Sequence, residues 1–76
     1  MKLNYTIELM ENSVKDEFHK LERRHKELKD MLEKWDKGEL DFTPPYERSI
    51  YETEFKMLEQ YLPVLKARAE AAEIEL

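Results

Sequence analysis

Cysteine is absent from the chain, glycine and tryptophan occur once each, and proline occurs three times. The missing cysteine excludes a disulfide staple, a thiolate metal site and a cysteine nucleophile, and it fits a reducing cytosol. No apolar run approaches the roughly 20 residues that cross a bilayer, and the N-terminus lacks the apolar stretch of a secretory signal. A soluble, cytoplasmic protein without a membrane partner is therefore expected. Positive charge is also short: 13 Lys and Arg stand against 18 Asp and Glu, for a net charge of −5. That balance disfavours general nucleic-acid binding, which relies on clustered cations.

What remains is a helix-former's composition. Charged residues make up 41% of 76 residues, and Glu, Lys, Leu and Ala are abundant. A chain of this length forms one domain, whose single core rarely contributes more than roughly 3–5 kcal/mol.

In the first half, apolar residues fall at Ile7, Met10, Val14, Phe18, Leu21, Leu28, Leu32 and Trp35, with His25 filling the gap. Steps of three and four predict one buried helical face. The pairs Asp16–Lys20, Glu22–Lys26 and Glu33–Lys37 place the acid N-terminal to the base at i,i+4. Leu3, Tyr5, Ile7 and Leu9 alternate as a short strand would, yet Ile7 and Met10 keep the helical phase, so the helix is expected from about residue 4 to 37. Gly38 suits the residue just past its end.

The second half opens on Thr43-Pro44, a cap residue followed by proline at a first helical position, with Glu47 in the first turn. Tyr51, Phe55, Leu58, Leu62, Leu65, Ala69, Ala72 and Leu76 then form a continuous heptad seam. Beside it runs a second stripe of Ile50, Met57, Tyr61, Val64, Ala71 and Ile74. Pro63 removes one backbone donor and is expected to kink the helix without ending it.

These readings define one all-α domain over residues 1–76. It is an antiparallel two-helix hairpin with a turn over residues 38–43 and a second helix from about 44 to 75, kinked near Pro63. The antiparallel pairing sets the basic run of Lys20, Arg23, Arg24, Lys26 and Lys29 against Glu52, Glu54 and Glu59. A hairpin partner covers only one stripe of each helix. The spare stripe of Ile50, Met57, Tyr61 and Val64 is therefore the expected interface of a homo-oligomer, with a dimeric four-helix bundle as its simplest closed form.

Chemistry-bearing patterns are sparse. Asp16-x-x-His19 and Glu22-x-x-His25 set a carboxylate and an imidazole one turn apart. Both lie on one helix and on different faces, and the second helix has no histidine, so surface ion pairing and a half-buried His25 explain them without a metal. No nucleophile triad, glycine-rich phosphate loop or cofactor motif occurs, and Ser13 and Ser49 read as helix-terminus residues. The chain reads as a non-enzymatic protein without a cofactor.

The stretch "WDKGELDFTPPYERSIY", residues 35–51, is the exception. Turn chemistry accounts for Gly38 and Pro44. It does not require Trp35, Phe42, Tyr46, Tyr51 and Arg48 at one end of the molecule. Either these aromatics cap the bundle, or, with Arg23 and Arg24, they form a surface that stacks on a ring, holds an anion or anchors a partner.

The segments "ERRHKELKDMLEKW" and "MLEQYLPVLKARAE" resemble small helical-hairpin proteins of tailed phages, a group that includes uncharacterised proteins of crAss-like phages. Met57, Tyr61, Leu62, Leu65 and Arg68 carry the likeness. The Met-to-Tyr spacing is one residue longer than in that group, and Pro63 is unusual for it. The resemblance spans about residues 17–70 and implies a phage protein acting in the host bacterium's cytoplasm. Small phage proteins of this type include antagonists of bacterial immunity that bind a defence protein or, as oligomers, trap a nucleotide signal. Inhibition of host antiviral defence by binding is thus the expected function. A structural or regulatory bundle, such as an RNA-binding copy-control hairpin or a phage assembly chaperone, is the alternative.

Overall fold

The computed structural model describes residues 2–76, with side chains from Ser13 onward. Two helices, α1 (Lys2–Asp36) and α2 (Arg48–Ala71), account for nearly all the regular structure, and no strand occurs among the described residues. They lie side by side and antiparallel in a rod of 55 × 19 × 17 Å. The alternation at residues 3–9 is thus overridden by the helical phase; the side chains of Ile7 and Met10 lie outside the described residues.

Both helices end in the same motif. At the end of α1, Gly38 N–H donates to the Trp35 carbonyl (3.0 Å) and Glu39 N–H to the Lys34 carbonyl (2.8 Å), with Gly38 at φ 68°. At the end of α2, Glu73 N–H donates to the Glu70 carbonyl (3.1 Å) and Ile74 N–H to the Ala69 carbonyl (2.8 Å). These are paired 5→2 and 6→1 bonds around a left-handed residue. In the second case that residue is Glu73, at φ 57°. The reversal swings Ile74 back onto Ala69 and Val14, where the three form a buried cluster. Ile74 therefore belongs to the core and not to the second stripe in which its spacing sets it. The seam expected to reach Leu76 stops with the helix, leaving Ala72 and Leu76 exposed.

The start of α2 also departs from the sequence reading. Thr43, Pro44 and Pro45 lie in the connecting segment, and the helix begins at Arg48. The expected turn over 38–43 is consequently a longer segment, residues 37–47. Pro45 disfavours helical geometry at Pro44, so Pro44 is poorly placed as a first helical residue. Glu47, at ψ 149°, is the N-cap residue and makes no side-chain cap bond.

A central cluster of Leu28, Tyr51 and Leu58 gathers Leu21, Met31, Leu32, Trp35 and Phe55 around it. Leu28 and Leu65 are fully buried, each contributing roughly 1.5–3 kcal/mol on transfer from water. His25 occupies the α1 face as expected, its ring stacked on Phe55 at 4.5 Å and 10°. Its Nε2 is buried and lacks a hydrogen-bond partner among the described residues. Pro63 lies inside α2, and the helix continues on both sides of it.

The three i,i+4 pairs read from the sequence are not within 4.0 Å in this structure; Asp30–Lys34 (3.3 Å) and Arg48–Glu52 (2.8 Å) are the pairs formed at that spacing among the described residues. The cations and acids of the two helices do meet where charge complementarity places them, at Arg24 and Glu54.

Candidate functional site

The residues singled out in the sequence fall into three places. At the hairpin end, α1 delivers Trp35 and α2 delivers Arg48 and Tyr51, while the connecting segment delivers Tyr46. Trp35 and Tyr51 meet edge-on at 6.1 Å, and Tyr46 lies 6.0 Å from Tyr51. The Arg48 guanidinium sits 5.4 Å above the Trp35 ring. It also bonds the Asp36 carboxylate through Nη2 (2.7 Å) and the Glu52 carboxylate through Nε (2.8 Å). This cation is thus held between two acids on an aromatic face, tying the last turn of α1 to the first turn of α2. Of the aromatic rings, Tyr46 faces solvent most openly, at 62% exposed.

Phe42 lies elsewhere. The connecting segment lays Leu40, Asp41 and Phe42 against α1, closing a recess of about 280 Å³ with Leu28, Met31 and Lys34. The Phe42 ring remains 52% exposed.

Arg23 and Arg24 occupy the third place, a groove of about 350 Å³ shared with Lys20, Leu21, Glu27 and Glu54. Arg24 and Glu54 form a two-point fork, Nε to Oε2 and Nη2 to Oε1, each 3.0 Å. Hydrogen bonding to Arg24 holds the Glu54 carboxyl below its ordinary range despite partial burial; the same bond raises the already high Arg24 pKa. Arg23 and Lys20 have no carboxylate within 4.0 Å among the described residues. Their charge is uncompensated at close range, and that feature suits an anion. The recess and the groove have Arg24 and Glu27 as common wall residues, with Phe42 in the one and the free cations in the other.

The proposed oligomer stripe divides. Ile50, Met57 and Val64 recur every seven residues and are 51%, 63% and 48% exposed. Tyr61 is half-buried, and its hydroxyl donates to Glu17 Oε1 at 2.7 Å across the hairpin. That bond raises the Tyr61 pKa above its usual value. Tyr61 therefore stitches the monomer while its ring edges the exposed row.

Sequence reasoning missed Lys20 as a member of the groove and Leu40 as a recess wall. Lys20 was visible only as one charge in a basic run; its freedom follows from Asp16 not reaching it. The histidines make ring contacts, His19 with Phe18 at 5.6 Å and His25 with Phe55. No cluster of three or more His, Asp or Glu suited to a metal occurs among the described residues, and no helix is long and apolar enough to cross a membrane.

Compared with known proteins, the chain matches no curated protein and no solved structure. A family model does match it, over residues 8–71, which takes in α1 from residue 8 onward, the connecting segment, all of α2 and all three places described above. On that match, the chain belongs to the Sequestin family.

Proposed function

We propose that this protein is a non-enzymatic, phage-encoded inhibitor of host antiviral defence that acts by binding, as a homo-oligomer that sequesters a nucleotide-type immune signal. The observation that carries this reading is that the groove of the free cations Lys20 and Arg23 and the recess under the exposed Phe42 ring share Arg24 and Glu27 as wall residues. A nucleotide asks for both features: guanidinium and ammonium groups for its phosphates, and an aromatic face for its base. The family name itself speaks of sequestration, and a binding protein needs no catalytic constellation.

Arg23 supplies the charge and Phe42 the stacking face, while Arg24 orders the groove wall through Glu54. The cluster of Trp35, Tyr46, Arg48 and Tyr51 holds the connecting segment in place, and the open Tyr46 ring extends the surface available to a partner. Blocking of a defence protein would use the same exposed aromatics.

The test is native mass spectrometry of the purified protein after exposure to the nucleotide pool of bacteria whose signalling defence has been triggered. A bound nucleotide-sized mass is expected, lost in Arg23→Glu and Phe42→Ala. Recovery of a stoichiometric defence protein with no small molecule would replace sequestration with direct blocking. Neither a bound nucleotide nor a bound protein would overturn the binding role.

A further inference from the structure

We infer that the exposed row of α2 packs antiparallel against the same row of a second copy, with the two-fold axis at the level of Leu62. This proposal rests on the oligomeric part of the reading above and specifies its geometry. Ile50, Met57 and Val64 form a line along α2 with a seven-residue repeat, continued by Ala71, and α1 covers none of it. Thr53, Gln60 and Ala67, also exposed, fill the alternate positions of the same face. A row with this repeat is the seam of a helix pair.

Charge selects the second copy's direction. Lys56, Arg68 and Glu70 flank the row, and none has an ion-pair partner among the described residues. In an antiparallel pair centred at Leu62, Met57 meets Ala67 of the second copy and Val64 meets its Gln60. On one flank Lys56 then faces Glu70 of the second copy, and on the other Glu54 faces its Arg68. Two-fold symmetry makes each pair occur twice. Tyr61 meets its own counterpart near the axis, where its bond to Glu17 fixes the ring.

A parallel pair in register has no such match. There Lys56 would face Tyr61, Ser49 would face Glu54, and Pro63 would face Arg68. The flanking charges therefore complement one another only in the antiparallel arrangement, which also sets the two connecting segments at opposite ends of the assembly.

Charge reversal tests the register. The wild type is expected to sediment as a dimer at micromolar concentration. Lys56→Glu and Glu70→Lys should each raise the dimer Kd roughly tenfold, since each turns two attractions into repulsions. The double variant Lys56→Glu/Glu70→Lys should return to within about threefold of the wild type. Both side chains are exposed, so helical circular dichroism should not change. A wild type that sediments as one chain overturns the proposal together with the oligomeric reading. A dimer unmoved by the single reversals, or weakened by both and not rescued by the double variant, overturns the antiparallel register and leaves the oligomer standing.

Discussion

Arg24 and Glu54, thirty positions apart in sequence, form a two-point fork across the hairpin, with both N···O distances at 3.0 Å. The fork depends on pH through Glu54. Its carboxyl is held below the ordinary value of 4.5, chiefly by the hydrogen bond to Arg24. A depressed carboxyl stabilises the fold above its unfolded pKa, and that stability is lost as pH falls through the folded value. The melting temperature should therefore drop as pH falls from about 5 towards 3, and Glu54→Gln should flatten part of that slope. Both side chains are about two-fifths exposed, so solvent screening keeps the expected loss at neutral pH near 0.5–1 kcal/mol. Thermal melts of wild type and Glu54→Gln across this range check it; identical slopes would rule the fork out as a source.

The two helix ends form a natural comparison. Gly38 and Glu73 hold the same left-handed position in the same bond pattern, at φ 68° and 57°. Glycine adopts this conformation without steric cost, whereas a residue with a Cβ costs roughly 1 kcal/mol there. A Cβ at Gly38 would meet no atom within 4 Å, so Gly38→Ala reads the backbone cost alone. It should destabilise by about 1 kcal/mol, and Glu73→Gly should stabilise by about the same amount. Denaturant titration decides the sign of each.

Much of the architecture could be read in advance because the apolar phase of each helix is long and continuous, and because Gly38 marks the one stop the sequence signals with the expected residue. The second stop is hidden, since Glu73 gives no hint of a left-handed turn, and spacing alone therefore sets Ile74 in the second stripe and not in the core. The start of α2, at Arg48, is hidden for a related reason. Thr43-Pro44 carries start chemistry, but Pro45 follows it, and the segment instead lays Leu40 and Phe42 along α1. The division of the candidate site into three places depends on side-chain partners on the other helix, such as Asp36 for Arg48 and Glu54 for Arg24, which local patterns do not record.

His25 provides a third prediction. Its ring stacks on Phe55, yet its Nε2 is buried without a hydrogen-bond partner. A buried polar group in that state costs roughly 1–3 kcal/mol. Replacing the ring with an apolar side chain of similar size removes the cost and keeps most of the contact. His25→Leu should therefore stabilise the hairpin by about 1 kcal/mol, read as a melting temperature higher by about 4–8 °C for a domain of this size. A lower melting temperature would show that the stacking outweighs the unpaired nitrogen.

The hairpin end separates holding from binding. Arg48 touches Asp36, Glu52 and the Trp35 ring, so Arg48→Ala removes two ion pairs and one cation–π contact together. The ion pairs are partly exposed and modest singly, but they share one immobilised guanidinium, which lowers the entropy cost per contact. A loss of about 1–2 kcal/mol follows, with a melting temperature lower by roughly 4–15 °C. Tyr46 is mostly exposed and contributes one tilted ring contact to Tyr51. Tyr46→Ala should therefore shift the melting temperature by only a few degrees. Any fall in binding by Tyr46→Ala beyond that small loss places the partner on the hairpin end. If Arg48→Ala binds normally at low temperature and Tyr46→Ala does too, the cluster only ties α1 to α2, and the ligand contacts lie along Lys20, Arg23 and Phe42.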